Sequence, residues 1–174
     1  MDNALSDRID NAWKVCRRWI NERDGSANEV MFVDVTAASL LRLFETCEIH
    51  AVSFAYEPTW RASARPIPLN ACNVVQCLQS DEMASCSLSY ITCAPGFQFS
   101  VRLITDRNIK GLYDLDAIWF PENAFPENAE VCARFHMVFA YFIHLEHLLK
   151  TRRLFIGPES LDDPRSGNNS WIEA

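Results

Sequence analysis

Residues 128–156, NAEVCARFHMVFAYFIHLEHLLKTRRLFI, are the longest apolar-periodic run in the chain, and they end at Gly157-Pro158, a pair that stops a helix. At about 100° per residue, Val131, Phe135, Val138, Phe139, Phe142, Leu145 and Leu149 fall in one stripe roughly 120° wide, the width of a core-facing surface. The spacing therefore predicts a long helix, and a helix with that face needs a core to bury it. The opposite side carries Ala133, Met137, Ala140, Tyr141, His144 and Leu148. That side is too apolar for a fully solvated face and too mixed for a second core, so it is the candidate contact surface.

At 174 residues the chain has room for one ordinary domain and too little for two with a linker. The expected division is a single domain over residues 1–156 and a flexible C-terminal tail over 157–174, loose unless Trp171 and Ile172 dock. With 49% hydrophobic and 22% charged residues, composition excludes a disordered chain. A net charge of −7 argues against a sequence-independent nucleic-acid surface or an anionic-membrane surface, because both need clustered Lys and Arg. The basic clusters, Arg17-Arg18 and Lys150 with Arg152-Arg153, are short, and the second suits the carbonyl end of a helix dipole. The opening MDNALSDRID lacks the basic start and apolar run of a signal peptide. The longest uncharged run of the predicted helix is about seven residues, against the roughly 20 of a membrane span. Seven cysteines without a secretory signal point to reduced thiols and a cytoplasmic location.

Along the chain, Leu5, Ile9, Ala12, Trp13, Cys16, Trp19 and Ile20 share one stripe, which predicts a helix over 4–23. A short strand over 29–35 follows, and Thr36 is the N-cap of a helix over 37–48. Residues 49–56 alternate as a half-buried strand. The three prolines of 57–69 make that stretch a surface loop holding Trp60. Residues 84–93 and 97–105 flank Ala94-Pro95-Gly96 as a hairpin, and a last strand spans 112–120. The doubled Pro-Glu-Asn-Ala at 121–124 and 126–129 is helix-start chemistry used twice.

Four constellations could carry chemistry. His144, Glu146 and His147 miss the spacing of helical metal motifs, and His136 lies about 16 Å along the axis from His147 at 1.5 Å per residue. Cys72, Cys77, Cys86 and Cys93 lack zinc-knuckle spacing and read as small core hydrophobes. Cys132 and His136, one turn apart, could pair as thiolate and imidazole, yet no carboxylate stands at a recognisable spacing to orient the ring. Asp114 and Asp116 project from one face of a strand, as a magnesium site would require, or simply mark the solvent side of an edge strand. There is no glycine-rich phosphate loop, nucleophile elbow or dinucleotide fingerprint among only five glycines, so no cofactor is expected.

The element order predicts an α+β fold, a mainly antiparallel sheet packed on one face by the N-terminal and long C-terminal helices. By elimination the expected function is a non-enzymatic protein-binding module, similar in size and charge to secretion chaperones and toxin-neutralising proteins. Its partner would be another protein or a second copy of the chain in a homodimer, met through Ala133, Met137, Ala140, Tyr141, His144, Leu148 and Trp60. Two other readings stand beside it. One is a self-assembling structural or accessory protein, viral ones included; the other is a metal-dependent hydrolase or nuclease using Asp114 and Asp116.

Overall fold

The computed structural model describes residues 3–20, 27–47, 49–56, 65–66, 76–80, 83–94, 97–109, 111–125, 130–151, 153–158 and 172–173. The elements run α1 (Asn3–Ile20), β1 (Asn28–Thr36), α2 (Ala37–Thr46), β2 (Ile49–Tyr56), β3 (Arg65–Pro66), β4 (Met83–Ala94), β5 (Phe97–Ile109), β6 (Leu112–Trp119), α3 (Pro121–Ala124), α4 (Val131–Leu149), β7 (Leu154–Pro158) and β8 (Ile172–Glu173). A helical turn at 76–79 precedes β4. The strands form one sheet in the order β3-β2-β4-β5-β6-β1-β7-β8. Every described pairing is antiparallel, as the expected α+β class requires.

Period-two alternation decides which side of the sheet is core. On β6, Tyr113, Leu115, Ala117 and Trp119 are all fully buried and join the main cluster, as do Val30, Phe32 and Val35 of β1 and Leu154 and Ile156 of β7. The helices supply the rest of that cluster with Ile9, Ala12 and Cys16 of α1, Leu40 and Leu43 of α2, and Phe135, Val138, Phe139, Phe142 and Leu149 of α4. On the hairpin, Val101 and Leu103 are buried while Arg102 is exposed, so the alternation expected of its second arm holds there. Val33 and Phe155, with Met31, form a smaller cluster on the reverse face of the sheet.

Local rules explain the boundaries. The Thr36 side chain accepts from the backbone N–H of Ser39 and caps α2, the job its position predicts. Gly111 turns β5 into β6 at φ +81°, a region that glycine enters without steric penalty. Proline opens α3, where its missing N–H would have had no helical partner anyway. The second Pro-Glu-Asn-Ala lies outside the described residues.

The end of the long helix corrects the sequence reading. The helix stops at Leu149 rather than 156, and Lys150 caps it in the left-handed conformation at φ 54° with its N–H on the His147 carbonyl. Gly157-Pro158 is therefore not the stop; it closes β7. Leu154, Phe155 and Ile156 are three consecutive apolar residues, which suits a strand with two buried faces better than one helical stripe. Once β1 is present as a partner, Leu154 to Pro158 pair along it, and Leu154, Phe155 and Ile156 are all buried, as both faces of an inner strand allow. Arg153 accordingly leaves the helix terminus, stands over the Phe155 ring at 4.9 Å and pairs with Glu173 at 2.9 Å. Ile172 and Glu173 pair with Ile156 and Phe155 in the sheet, the docking that the expectation allowed for at Ile172, and Gly157-Pro158 belongs to β7. The surface loop expected over 57–69 is likewise interrupted by β3, which pairs with β2.

Candidate functional site

The three main helices form one layer. α1 runs antiparallel to α4, because Arg8 meets Glu146 near the end of α4 whereas Asp10 and Trp13 meet His136 and Phe135 nearer its start. α2 is also antiparallel to α4, with Arg42 beside Leu148 and Cys47 beside Tyr141. Among the described residues, α4 thus has the sheet beneath it and a helix along each flank.

That arrangement divides the residues expected at the contact surface. Tyr141 and Leu148 lie toward α2: the Tyr141 hydroxyl is 4.0 Å from Cys47 Sγ, and Arg42 Nε donates to the Leu148 carbonyl at 3.3 Å. Both side chains are partly buried against the main core. The strip that remains is narrower and consists of Ala133 and His144, which are exposed, and Met137 and Ala140, which are half-buried. His147 extends it at the C-terminal end. The first four lie within about 60° of arc on a helix of 3.6 residues per turn, so they make one continuous surface. Trp60 lies outside the described residues.

The flank facing α1 holds what the sequence did not reveal. Arg8 makes a bidentate pair with Glu146, Nη1 to Oε2 at 2.6 Å and Nη2 to Oε1 at 3.0 Å. The Glu146 side chain is 8% exposed and that of Arg8 27%. Burial of a mid-helix acid is tolerated because both carboxylate oxygens have charged donors. A signal existed, since by helical arithmetic Glu146 falls inside the core-facing stripe, where a carboxylate must have a partner.

Beyond that pair, His136 Nε2 lies 3.8 Å from Cys132 Sγ and 3.3 Å from Asp10 Oδ1. The carboxylate that sequence spacing within α4 could not supply comes from α1. Thiol and carboxylate meet the same ring nitrogen, whereas a catalytic relay places them on opposite nitrogens so that the acid fixes the base's tautomer. The cluster therefore lacks that relay.

Asp114 and Asp116 lie on the sheet face away from the helices, alternating with the buried Tyr113, Leu115 and Ala117. Asp114 is 8% exposed and accepts the backbone N–H of Asp34 at 3.3 Å. Asp34 adopts φ 59° where the register of β1 slips against β6, so Asp114 holds a bulge in place. Among the described residues no group of three or more His, Cys, Asp or Glu is placed to hold a metal ion. No described helix is long and apolar enough to cross a membrane.

No protein-family model matches the chain, and no curated protein does. A chain of the crystal structure of the toxic C-terminal tip of CdiA from Pseudomonas aeruginosa in complex with an immune protein is similar to it, with a TM-score of 0.50. The identity is 16%, over 80% of this chain and 90% of that one, so the likeness is one of fold.

Proposed function

We propose that the chain is a non-enzymatic protein-binding module of the toxin-neutralising kind, which meets its partner through the back of α4. The observation that carries this reading is the strip Ala133, Met137, Ala140 and His144, exposed at Ala133 and His144 and half-buried at Met137 and Ala140, with α1 and α2 along its two flanks. Alanines at two of its four positions let another backbone approach closely, and Met137 offers a soft apolar knob that adapts to a partner's shape. Fold likeness to a chain from a complex between a toxin tip and an immune protein supports a binding role of this type. From Ala133 to His144 the strip runs about 16 Å at 1.5 Å per residue. A stable pair buries about 800 Å² on each partner, so the strip would be the centre of an interface that also uses the outer sides of α1 and α2.

The test is a charge placed mid-strip, Ala140→Glu and separately Met137→Glu, with the oligomeric state and the capture of candidate toxin domains measured beside the unfolding midpoint. Loss of toxin-domain capture with an unchanged midpoint supports the reading. Conversion of a homodimer to monomer with an unchanged midpoint assigns the strip to self-association. Global unfolding makes the strip ordinary core and removes the argument for a binding function.

A further inference from the structure

We infer that Cys132 is a modification site, a thiol that exchanges with low-molecular-weight disulfides using His136 as its proton acceptor and Asp10 as the counter-charge. Three observations converge. Cys132 is only half-buried, in the first turn of α4, where the positive end of the helix dipole favours a negative charge. His136 Nε2 stands 3.8 Å from its sulfur, one helical turn on, with a side chain 32% exposed. Asp10, from the neighbouring helix and 48% exposed, lies 3.3 Å from the same nitrogen and stabilises the imidazolium that forms when the thiol's proton arrives.

Placing both partners on one nitrogen defeats a catalytic relay but suits a single exchange. With the ring hydrogen of the neutral imidazole on Nδ1, the proton of Cys132 passes to His136 Nε2, and the thiolate sulfur attacks one sulfur of the reagent RS–SR. The reagent's S–S bond breaks as Cys132–S–S–R forms. The expelled RS⁻ takes the proton back from Nε2 and leaves as RSH, so the cysteine is oxidised, one half of the reagent is reduced, and the imidazole returns to its starting state. Of the other described thiols, Cys77 is half-buried as Cys132 is, and burial raises the remaining three. Cys16 is 1% exposed, and burial pushes its thiol up to about 12. Cys86 is equally buried and its thiol is pushed up further. Burial also raises the Cys47 thiol, against the opposing hydrogen bond from Tyr141. Among the described residues, no imidazole stands against those three.

The experiment incubates the native full-length chain with glutathione disulfide and follows each cysteine by peptide mass mapping. Cys132 is expected to form its mixed disulfide at least about tenfold faster than Cys16, Cys47 and Cys86, and faster than the equally half-buried Cys77, since the thiolate is the nucleophile and access alone does not separate Cys132 from Cys77. His136→Gln should slow Cys132 about tenfold by removing the proton acceptor. Asp10→Asn, at an exposed position that keeps the fold, should slow it by a smaller factor and supplies the same comparison if His136→Gln perturbs the helix. A Cys132 rate no greater than that of Cys47, or one unchanged in both variants, overturns the inference.

Discussion

The pair that pins α1 onto α4 makes an asymmetric prediction. Arg8→Ala strands the Glu146 carboxylate, whose side chain is 8% exposed, in a place water hardly reaches. Breaking a buried pair costs about 3–5 kcal/mol, and the partial exposure of Arg8 puts the expected loss near the lower end, about 3 kcal/mol. Glu146→Ala instead releases a guanidinium that is 27% exposed on a flexible stem and can turn to solvent. Its cost should fall between the buried and surface limits, about 1–2 kcal/mol. Replacing both by leucine removes the desolvated charges together and should come within about 1 kcal/mol of the parent. In a chain of this size 1 kcal/mol moves the midpoint about 2–4 °C, so Arg8→Ala is expected to lower it by roughly 6–12 °C and Glu146→Ala by roughly 2–8 °C. Urea titrations of the two single variants and the double leucine variant give the free energies directly. Equal costs for the two truncations, or a larger cost for Glu146→Ala, would refute the argument that differential access to water sets the energetics of this seam.

Phe139 is fully buried and stacks on Phe135 at 5.5 Å with planes 9° apart, so Phe139→Ala should lose about 3–5 kcal/mol in the same titration. A loss no larger than that of Ala133→Ser would mean the core face of α4 is wrongly assigned. Trp119 is fully buried, and its indole N–H has no hydrogen-bond acceptor among the described residues, although the rings of Phe125 and Phe142 stand 5.8 and 6.2 Å away. Trp119→Phe relieves an orphan donor worth about 1–3 kcal/mol while losing packing of similar size, so unfolding should shift by less than about 1 kcal/mol. A loss above about 3 kcal/mol would show that the N–H is satisfied. Arg153 holds the Glu173 carboxyl below its ordinary value through a hydrogen bond and its charge. A depressed folded value stabilises the docked strand above the unfolded value, and that stabilisation is lost as pH falls through the folded one. Amide exchange at Ile172–Glu173, corrected for intrinsic pH dependence, should therefore show weaker protection in acid than at neutral pH, and Arg153→Gln should abolish the difference.

The interplay of local and distant information is clearest at the two ends of α4. Its core stripe, the amphipathic α1, the Thr36 cap and the hairpin are all written in local spacing, because helical and strand periods sort side chains onto faces whatever the partner turns out to be. That sorting also sufficed for the α+β class. The segment after Leu149 was not legible in the same way. Leu154–Ile156 is apolar enough to extend the helix on paper, and only the presence of β1 as a pairing edge makes the strand better. The candidate surface followed the same division. The chain alone marked Ala133, Met137, Ala140, Tyr141, His144 and Leu148 as one apolar back, since periodicity knows the angle of a residue and nothing of its neighbours. Packing then gave Tyr141 and Leu148 to α2, left Met137 and Ala140 half-buried, and left Ala133 and His144 exposed. Asp10 reaches His136, and Arg8 reaches Glu146, across 126 and 138 positions of sequence, distances at which no spacing rule operates. Those contacts exist because α1 lies antiparallel along α4, and that orientation is set by where each helix buries its apolar stripe on a shared sheet.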